Sequence, residues 1–590
     1  MTRAATLLTL FALTLSAESI RPVSERIRID SNVIVPMRDG IKLYADVYRP
    51  AREGKFPVLV VRTPYGKQRD GIHQSKIQFA QRGYAVVVQD TRGRFESEGA
   101  WDPFRNEAKD GYDTIEWAAR QPWSNGKVGT EGGSYLGNVQ WQAAAQTPPS
   151  LVAIFPAVAS TSLYHNTFYH GGAFKLAVSY GWGAIRMPLR IMYPQYWHTE
   201  VYAPVEMKYE NIVWGLPLET LDLASSHHPV PHWRNWLKHE SYDDYWRAIS
   251  IEEKFDRVKV PAHTHGGWFD LLLNGTMNGY VGVKHQGGSE AARRGTRMII
   301  GPWGHGASRK FGDVDFGPTA MRGLFERELQ FFDHHLMGLD TGIDKEPPVE
   351  IYLMGINRWM HFSDWPIPGA KATPLYLSSG GSANSDRGDG RLSFDKPAGA
   401  AMDHYTYDPN QPVPTVGAHD CCGVPTSVGP VDQRPVEKRN DVLVYTSDFL
   451  EKPIAVAGPI RMKLQAATDG PDTDWFIKLV DVHPSGFAMN VAEGVLRARF
   501  RKGLDKPELL KPNQAYEFEV DMRATGNVFR PGHRIRIDVT SSNFPQFDRN
   551  LNSGEPLLTA KRVRVAKQTV FHTPERASHI VLPLIQVPAK

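Results

Sequence analysis

The chain has 590 residues, of which 41% are hydrophobic and 11% aromatic, a composition typical of a globular protein with about three domains. Its 68 basic and 64 acidic residues give a net charge of +4, and no stretch concentrates lysine and arginine. This balance excludes nucleic acid as the expected partner. We therefore expect a small-molecule partner.

The first residues predict a secretory signal. Arg3 precedes an apolar run at 4–15, which ends in the small residues Ser16 and Ala17. The run is too short to span a bilayer, and no later stretch is long and apolar enough to do so. We expect a signal peptide at 1–17 and a secreted or periplasmic protein without a membrane anchor. The alternative is a cytoplasmic protein that keeps this segment.

The chain has only two cysteines, Cys421 and Cys422, and they are adjacent. Neighbouring thiols cannot cross-link distant parts of a fold, and without further ligands they are a poor zinc site. We interpret both as loop residues and leave their redox state open.

Short apolar runs alternate with helical stretches near the start of the mature chain. A hairpin with Asp39 and Gly40 in its turn comes first. Strands are then predicted at 57–62, 84–89 and 127–130, with helices at 74–82 and 110–121 between them. This alternation predicts a parallel sheet with helices on both faces, in which sites collect at the carboxyl ends of the strands.

A serine lies at the end of the third predicted strand, in Val128-Gly-Thr-Glu-Gly-Gly-Ser-Tyr-Leu-Gly137. A serine between a strand and a helix projects its hydroxyl above the sheet, close to the free N–H groups of the helix. Gly132 and Gly133 permit a strained approach to the turn, and Gly137 permits close packing of the helix. The spacing is G-x-S-x-x-G, so Ser134 is either a candidate nucleophile or part of a plain turn.

Two later strand ends carry partners for such a serine. Asp270 and His305 each follow a short strand-like run and a glycine-containing turn, which predicts that both lie at the same sheet edge as Ser134. The chain order serine, acid, histidine is the order of an α/β-hydrolase. The residue types fit, because an imidazole can take the hydroxyl proton and a carboxylate can orient the imidazole.

Two groups of residues suggest metals. His263 and His265 form an H-x-H pair, but a catalytic zinc needs a third ligand that the spacing does not supply. Asp472, Asp474 and Asp481 alternate along a predicted strand, which is more typical of a solvated face than of a calcium site. We assign no metal to either group.

Several motifs of the chain occur together in one known family. They are Gly-Gly-Ser134-Tyr-Leu-Gly, Gly-Gly-Trp-Phe-Asp270 and Gly-Pro-Trp-Gly-His305, with the runs 110–117, 121–128, 472–482 and 541–550. With these motifs the chain resembles the cocaine-esterase-like (CocE/NonD) serine hydrolases, relatives of the X-prolyl dipeptidyl peptidases and glutaryl-cephalosporanic acid acylases. The resemblance extends over nearly the whole mature chain.

The resemblance implies a role for each site residue. Ser134 would be the nucleophile, His305 the general base and Asp270 the acid that orients it. The backbone N–H of Tyr135 and the phenol of Tyr65 would form the oxyanion hole. No cofactor is implied.

The aromatic-rich texture of residues 148–247 predicts a cap over the edge of the sheet, and alternation beyond residue 347 predicts a β-sandwich, which the resemblance makes a jelly roll. The expected fold class is therefore α/β, an α/β-hydrolase fold with a helical cap insertion and a C-terminal β-sandwich domain. The predicted ranges are a signal peptide at 1–17, the hydrolase domain at 24–147 and 248–346, the cap at 148–247 and the jelly roll at 347–590.

We expect a serine hydrolase that cleaves ester or amide bonds of a small molecule through an acyl-enzyme. An X-prolyl dipeptidyl aminopeptidase and a β-lactam side-chain (glutaryl) acylase are open alternatives. In the related α-amino-acid ester hydrolases, an acidic residue follows the serine-tyrosine pair. This chain has Leu136 at that position, which disfavours the α-amino-acid ester hydrolase branch. A non-catalytic carbohydrate-binding protein is a remote alternative, and the oligomeric state, including a homo-oligomer, is left open.

Overall fold

The structure is a computed structural model that describes residues 23–68, 70–188, 209–399, 401–417, 419–421 and 427–586. The predicted signal peptide lies outside these residues, so it stays a prediction, as does secretion. Within the described part of the chain, none of the helices combines the length and the apolar character that crossing a bilayer requires.

The first half of the chain builds a ten-stranded sheet in the order β1-β2-β4-β3-β5-β6-β9-β10-β13-β14. The strands up to this point of the chain are β1 (Ile27–Pro36), β2 (Lys42–Pro50), β3 (Phe56–Thr63), β4 (Ala85–Asp90), β5 (Ser124–Gly133), β6 (Leu151–Ala157), β7 (Tyr169–His170), β8 (Ala173–Phe174), β9 (His263–Gly267), β10 (Arg297–Gly301), β11 (Lys310–Phe311), β12 (Val314–Asp315), β13 (Val349–Leu353) and β14 (Arg358–Phe362). The seven central strands from β4 to β13 pair in parallel, which confirms the predicted parallel sheet.

Helices cover both faces of this sheet and build the cap. Among the described residues they are α1 (Asp70–Ala80), α2 (Glu107–Ala119), α3 (Tyr135–Ala144), α4 (Leu176–Val178), α5 (Tyr209–Ile212), α6 (Leu221–Ser226), α7 (Pro231–Lys238), α8 (Asp244–Arg247), α9 (Leu273–Gln286), α10 (Glu290–Gly295) and α11 (Leu324–Met337). One more short helix, α12 (Arg434–Glu437), lies among the strands of the C-terminal domain. Every residue of β3 and β4 is buried, as expected for strands covered on both sides.

The sheet is wider than the sequence predicts. β6 pairs with β5 although it lies within the predicted cap range 148–247, and β13 and β14 extend the sheet past residue 346. β9 begins at His263, later than the apolar run at 258 suggests. Pro148-Pro149 and Pro347-Pro348 mark turns before β6 and β13. A turn signal does not say which sheet a short strand joins, so only the pairing partners place these strands.

Aromatic side chains form much of the core of the cap. Phe168 stacks on Trp236 with ring centroids 3.9 Å apart, and Trp233 and Trp246 are also buried. The aromatic residues Tyr193, Tyr196 and Trp197, which the sequence analysis placed in the cap, lie outside the described residues. The cap is therefore packed mainly through its own aromatic residues, and two of them also line the cavity above Ser134.

The C-terminal half is all β, as predicted. Its strands are β15 (Lys371–Ser378), β16 (Arg391–Ser393), β17 (Met402–Tyr407), β18 (Leu443–Thr446), β19 (Ile454–Thr468), β20 (Asp474–Val482), β21 (Ala488–Arg497), β22 (Tyr516–Phe529), β23 (Arg534–Thr540), β24 (Ala566–Phe571) and β25 (His579–Ile585). They pair in the order β17-β24-β19-β25-β15-β16-β18-β23-β20-β21, and β22 pairs with β19. The jelly-roll topology itself stays a prediction.

The expected solvated face of acidic residues on β20 is wrong. Asp472 and Asp474 have no exposed surface, and they pair with Arg499 at 2.8 Å and with Arg497 at 2.9 Å. Every residue of β20 is buried, so its alternation does not separate an inner from an outer face. The acids are buried here because partners from β21 and the chain that follows it neutralise them.

Candidate active site

Ser134 occupies a strained bend between β5 and α3. Its backbone has φ 62° and ψ −123°, a conformation that residues with a side chain rarely adopt. The neighbouring strand holds the bend, because the Ser134 N–H donates to the Ala157 carbonyl at 2.9 Å. The carbonyl of Ser134 in turn accepts from the N–H groups of Gly137 and Asn138, each at 2.9 Å. The bend therefore projects the hydroxyl above the carboxyl edge of the sheet.

Gly132 and Gly137 have the predicted functions, whereas the prediction of a strained backbone at Gly133 is wrong. Gly132 has φ 127°, which favours glycine. A Cβ on Gly137 would lie 2.7 Å from the Cβ of Ala159 and 2.8 Å from the Ala157 carbonyl oxygen, so only glycine lets α3 lie this close to β6. Gly133 has no positive φ, but a Cβ there would approach Val158 to 3.3 Å. The bend needs glycine because of backbone conformation at one position and space at the others.

The structure brings Ser134, His305 and Asp270 into one hydrogen-bonded chain. The His305 Nε2 lies 2.9 Å from the Ser134 Oγ, and the His305 Nδ1 lies 2.8 Å from the Asp270 Oδ1. A carboxylate acceptor fixes the proton on Nδ1, which leaves Nε2 as the acceptor for the serine hydroxyl. These contacts have the geometry of an activated nucleophile, its base and an orienting acid.

Strand register explains why residues far apart in sequence meet. β9 and β10 run in parallel with Gly267 opposite Gly301, and Asp270 and His305 follow these two glycines closely. Ala157 on β6 lies between the serine bend and β9, since it pairs with Gly133 on one side and His265 on the other. The three side chains therefore meet at neighbouring strand ends, as the chain order predicts.

Asp270 is completely buried, and two buried basic side chains from other parts of the chain hold its loop. Arg523 on β22 lies with one guanidinium nitrogen 3.4 Å from the carbonyl oxygen of Asp270 and 3.5 Å from that of Leu271. Lys175, between β8 and α4, donates to the Leu271 carbonyl at 3.2 Å. Burial and the neighbouring Arg523 lower the pKa of Lys175 to about 7. The cap and the C-terminal domain thus both position the acid of the triad.

We expect Arg523→Met to lower kcat by at least about tenfold while KM changes little, because the guanidinium positions the acid loop without lining the cavity. Steady-state kinetics of the folded variant measures both parameters.

Arg536→Met is the matched control, since Arg536 is another buried arginine of the C-terminal domain but pairs with Glu437. It should leave kcat of the folded protein unchanged. Arg523→Lys keeps the charge and should recover part of the loss. An unchanged kcat in folded Arg523→Met would show that the arginine contributes only to folding.

The first residue of α3 is suited to bind an oxyanion. The backbone N–H of Tyr135 is among the first amides of the helix, which have no carbonyl partner within the helix. Its phenol points elsewhere, donating to Glu107 Oε1 at 2.7 Å and accepting from the Phe104 N–H at 3.2 Å. Burial raises the pKa of Tyr135 well above its usual value, so the phenol stays protonated and anchors the helix start.

Tyr65 lies in the loop after β3 and lines the same cavity as Ser134. The Thr63 Oγ1 accepts from the Tyr65 N–H at 3.0 Å, and the Trp182 Nε1 donates to the phenol oxygen at 3.1 Å. Because the indole N–H occupies an acceptor position of the phenol oxygen, the phenol proton is directed away from the indole. Trp182 belongs to the aromatic set of the predicted cap, but nothing in the sequence indicated its contact with Tyr65.

A cavity of about 400 Å³ opens above Ser134. Its lining is mainly aromatic and aliphatic and combines the sheet edge, the cap and the C-terminal half. The lining residues are Tyr65, Phe104, Ser134, Tyr135, Asn138, Thr167, Phe168, Val178, Trp182, Leu271, Leu272, His305 and Cys421. Cys421 is disulfide-bonded, and Cys422 lies outside the described residues. A site of this size and apolarity suits a compact ligand.

The H-x-H pair is part of the core. His263 stacks on Phe155 with centroids 4.7 Å apart, and burial lowers the pKa of His263 well below its usual value. Burial also lowers the pKa of His265 to about 4. Both imidazoles are therefore neutral at physiological pH.

Arg523 and Lys175 are site residues that the sequence analysis missed. Each is a lone basic residue in a stretch that predicts a strand or an aromatic cap, at a distance of 95 to 253 residues from the acid loop. Only the packing of three parts of the chain around Asp270 reveals them.

A hydrogen-bonded serine, histidine and aspartate at the carboxyl edge of a parallel sheet define the class of this protein, a serine hydrolase with an α/β-hydrolase fold. Residues 39–307 match the family model described as X-Pro dipeptidyl-peptidase (S15 family). Residues 341–581 match the X-Pro dipeptidyl-peptidase C-terminal non-catalytic domain. The predicted hydrolase and the predicted C-terminal domain thus each have a counterpart.

The chain is 36% identical to the cocaine esterase of Rhodococcus sp. (strain MB1 Bresler) over 95% of its own length and 99% of that relative. It thus belongs to the cocaine-esterase-like (CocE/NonD) family of serine hydrolases. Two solved structures are also similar, each covering 98% of this chain and 100% of the other. They are an α-amino acid ester hydrolase, with a TM-score of 0.80 and 27% identity, and an aminopeptidase from a marine Thaumarchaeota archaeon, with a TM-score of 0.81 and 26% identity.

Proposed function

We propose that this protein hydrolyses carboxylic esters with a compact apolar or aromatic acyl group, through an acyl-enzyme on Ser134. The observation that carries the proposal is the continuous hydrogen-bonded chain from Ser134 through His305 to Asp270, opening into an apolar cavity. The names of similar proteins support an ester substrate, since relatives include a cocaine esterase and a putative serine esterase of Mycobacterium bovis.

In the acylation step, the Ser134 Oγ attacks the carbonyl carbon of the ester while His305 Nε2 takes the hydroxyl proton. Asp270 holds the ring in the required tautomer and stabilises the imidazolium that forms. The negative charge that develops on the carbonyl oxygen is stabilised by the Tyr135 N–H and the Tyr65 hydroxyl. The tetrahedral intermediate then expels the alcohol, which receives its proton from His305.

In the deacylation step, a water molecule enters the place that the alcohol has left. His305 takes a proton from this water, and the resulting hydroxide attacks the acyl carbon. The same oxyanion donors stabilise the second tetrahedral intermediate. Its collapse breaks the bond to Ser134, which regains the proton from His305, and releases the carboxylic acid.

The cavity lining favours substrates with neutral acyl groups over substrates with charged acyl groups. Among its described residues, aromatic and aliphatic side chains predominate, and none of them is a carboxylate that could bind a substrate ammonium group. An X-prolyl dipeptidyl peptidase or an α-amino-acid ester hydrolase must recognise such a group. Leu136, in place of an acidic residue, likewise disfavours recognition of a substrate ammonium group. The side chains around Ser134 leave only a small space, which fits a short or single-ring acyl group.

A substrate panel tests the proposal. The panel combines p-nitrophenyl acetate, butyrate and benzoate with glycyl-prolyl-p-nitroanilide and a glutaryl-amide β-lactam. We expect wild-type protein to cleave the esters with kcat/KM at least about 100-fold above that for the two amides, a difference of about 2.7 kcal/mol in activation free energy.

The other outcomes of the panel are equally informative. Preference for the prolyl anilide would assign the chain to the peptidase branch, and preference for the β-lactam would assign it to the acylase branch. Labelling of wild-type protein by a reactive-serine probe without turnover of any panel member would contradict the proposed substrate class. Absence of labelling would contradict the mechanism itself and favour a non-catalytic protein.

We expect Tyr65→Phe to lower kcat for the best ester by about 100-fold or more, because the change removes one donor to the oxyanion and keeps the ring. KM should change less, since the ground-state carbonyl interacts weakly with this donor. Tyr180→Phe is the matched control, because the Tyr180 hydroxyl donates to the Leu221 carbonyl inside the cap. An unchanged kcat in Tyr65→Phe would remove this phenol from the oxyanion hole.

A further inference from the structure

Two turns of the C-terminal domain bring an aspartate and two histidines together. Asp481 and His483 lie on one side of the chain, since residues two apart along an extended strand point to the same face. β20 pairs antiparallel with β23 so that Val482 faces Arg534, which places His533 next to His483. Ligand-type atoms of Asp481, His483 and His533 all lie within 4.8 Å of one another.

We propose that Asp481, His483 and His533 form a binding site for a divalent transition metal ion such as Zn²⁺. Two imidazoles and a carboxylate are a donor set that this class of ion prefers. Metal bonds of about 2.0 to 2.2 Å would need shifts of about one ångström in these side chains. The turn side chains can supply such shifts, because His483 is half-exposed at the end of its strand.

The surroundings prepare these groups for a metal. Asp481 Oδ1 lies 2.7 Å from His533 Nδ1, and Asp481 Oδ2 accepts from Asn527 Nδ2 at 3.2 Å. The Asn527 contact orients the carboxylate, as outer partners of metal ligands commonly do.

A bound ion would join two hairpins that are far apart in sequence. His483 begins the turn between β20 and β21, where its carbonyl accepts from the Gly486 N–H at 2.9 Å. His533 ends the turn between β22 and β23, where its N–H donates to the Arg530 carbonyl at 3.0 Å. Three protein ligands leave a fourth position for water on the half-exposed side. The ion would therefore stabilise the C-terminal domain without taking part in ester hydrolysis.

Titration of the untagged, chelator-treated full chain with Zn²⁺ in a calorimeter tests the site. We expect one ion per chain and a rise in Tm that grows with the Zn²⁺ concentration, since the ion binds only the folded site. His483→Ala should weaken binding by at least about tenfold. This variant leaves the buried Asp481 and His533 in place, so it should fold and retain wild-type ester hydrolysis.

His361→Ala is the matched control, because His361 is an exposed histidine on β14 outside the cluster. It should bind Zn²⁺ as wild type does. Co²⁺ provides an independent readout, since its visible spectrum reports nitrogen and oxygen coordination and should be lost in His483→Ala. Equal Zn²⁺ binding by wild type and His483→Ala, or no saturable binding by wild type, would overturn the proposal.

Discussion

Ser134→Ala should abolish ester hydrolysis, with kcat at least about 10⁴-fold below that of wild type. The reason is that no other hydroxyl lies within hydrogen-bonding distance of His305 Nε2 among the described contacts, so no acyl-enzyme can form. The measurement is burst and steady-state kinetics with the best p-nitrophenyl ester, together with labelling by a fluorophosphonate probe. The variant should show neither burst nor labelling.

Two further variants serve as comparisons for Ser134→Ala. Ser308→Ala removes an exposed hydroxyl from the loop after His305 and should keep wild-type kinetics and labelling. Ser134→Gly should be as inactive as Ser134→Ala yet more stable to thermal unfolding, because glycine tolerates a φ of 62° better than either residue. The gain should be about 1 kcal/mol in the free energy of unfolding. Labelling that persists in Ser134→Ala would place the nucleophile elsewhere.

Asp270→Asn should lower kcat by about 10⁴-fold while the protein remains folded. The amide keeps the size of the carboxylate, but its NH₂ group can donate to His305 Nδ1 and thereby place the ring proton on Nε2. A protonated Nε2 cannot accept the proton of Ser134. Because Asp270 does not line the described cavity, KM for the ester should change by less than the loss in kcat. Steady-state kinetics measures kcat and KM, and circular dichroism shows whether the variant remains folded.

The chain offers a matched control in a second buried aspartate–histidine pair. Asp403 has no exposed surface and lies with Oδ2 2.9 Å from His572 Nε2 in the C-terminal domain. Asp403→Asn makes the same chemical change and should lower stability without lowering kcat of the folded protein. Equal losses of kcat in both variants would mean that the effect is one of folding and not of tautomer control.

The local features around the site could be predicted from the sequence because each has a short-range cause. Gly132 next to Ser134 satisfies a constraint of backbone conformation within one bend. Asp270 and His305 follow strand ends, and parallel strands bring their carboxyl ends to one edge. Patterns of this kind depend on neighbours within a few residues, so one sequence is enough to identify them.

Patterns that depend on distant partners misled the sequence analysis. Asp472 and Asp474 were expected on a solvated face, but Arg499 and Arg497 pair with them in the interior. β6 was included in the cap because the aromatic-rich texture was taken to begin at residue 148, and its pairing with β5 places it in the sheet. Burial of a charge and membership of a sheet both depend on the partner, which alternation does not encode.

By itself the sequence determined the fold class, the order of serine, acid and histidine, and the turn that exposes Ser134, since all three rest on local conformation and chain order. Only the tertiary structure decided which buried basic side chains hold the Asp270 loop, which indole contacts Tyr65 and which histidine lies beside Asp481. Those contacts join residues separated by 52 to 253 positions. Packing of the cap and the C-terminal domain against the sheet creates the first two, and strand pairing within the C-terminal domain creates the third.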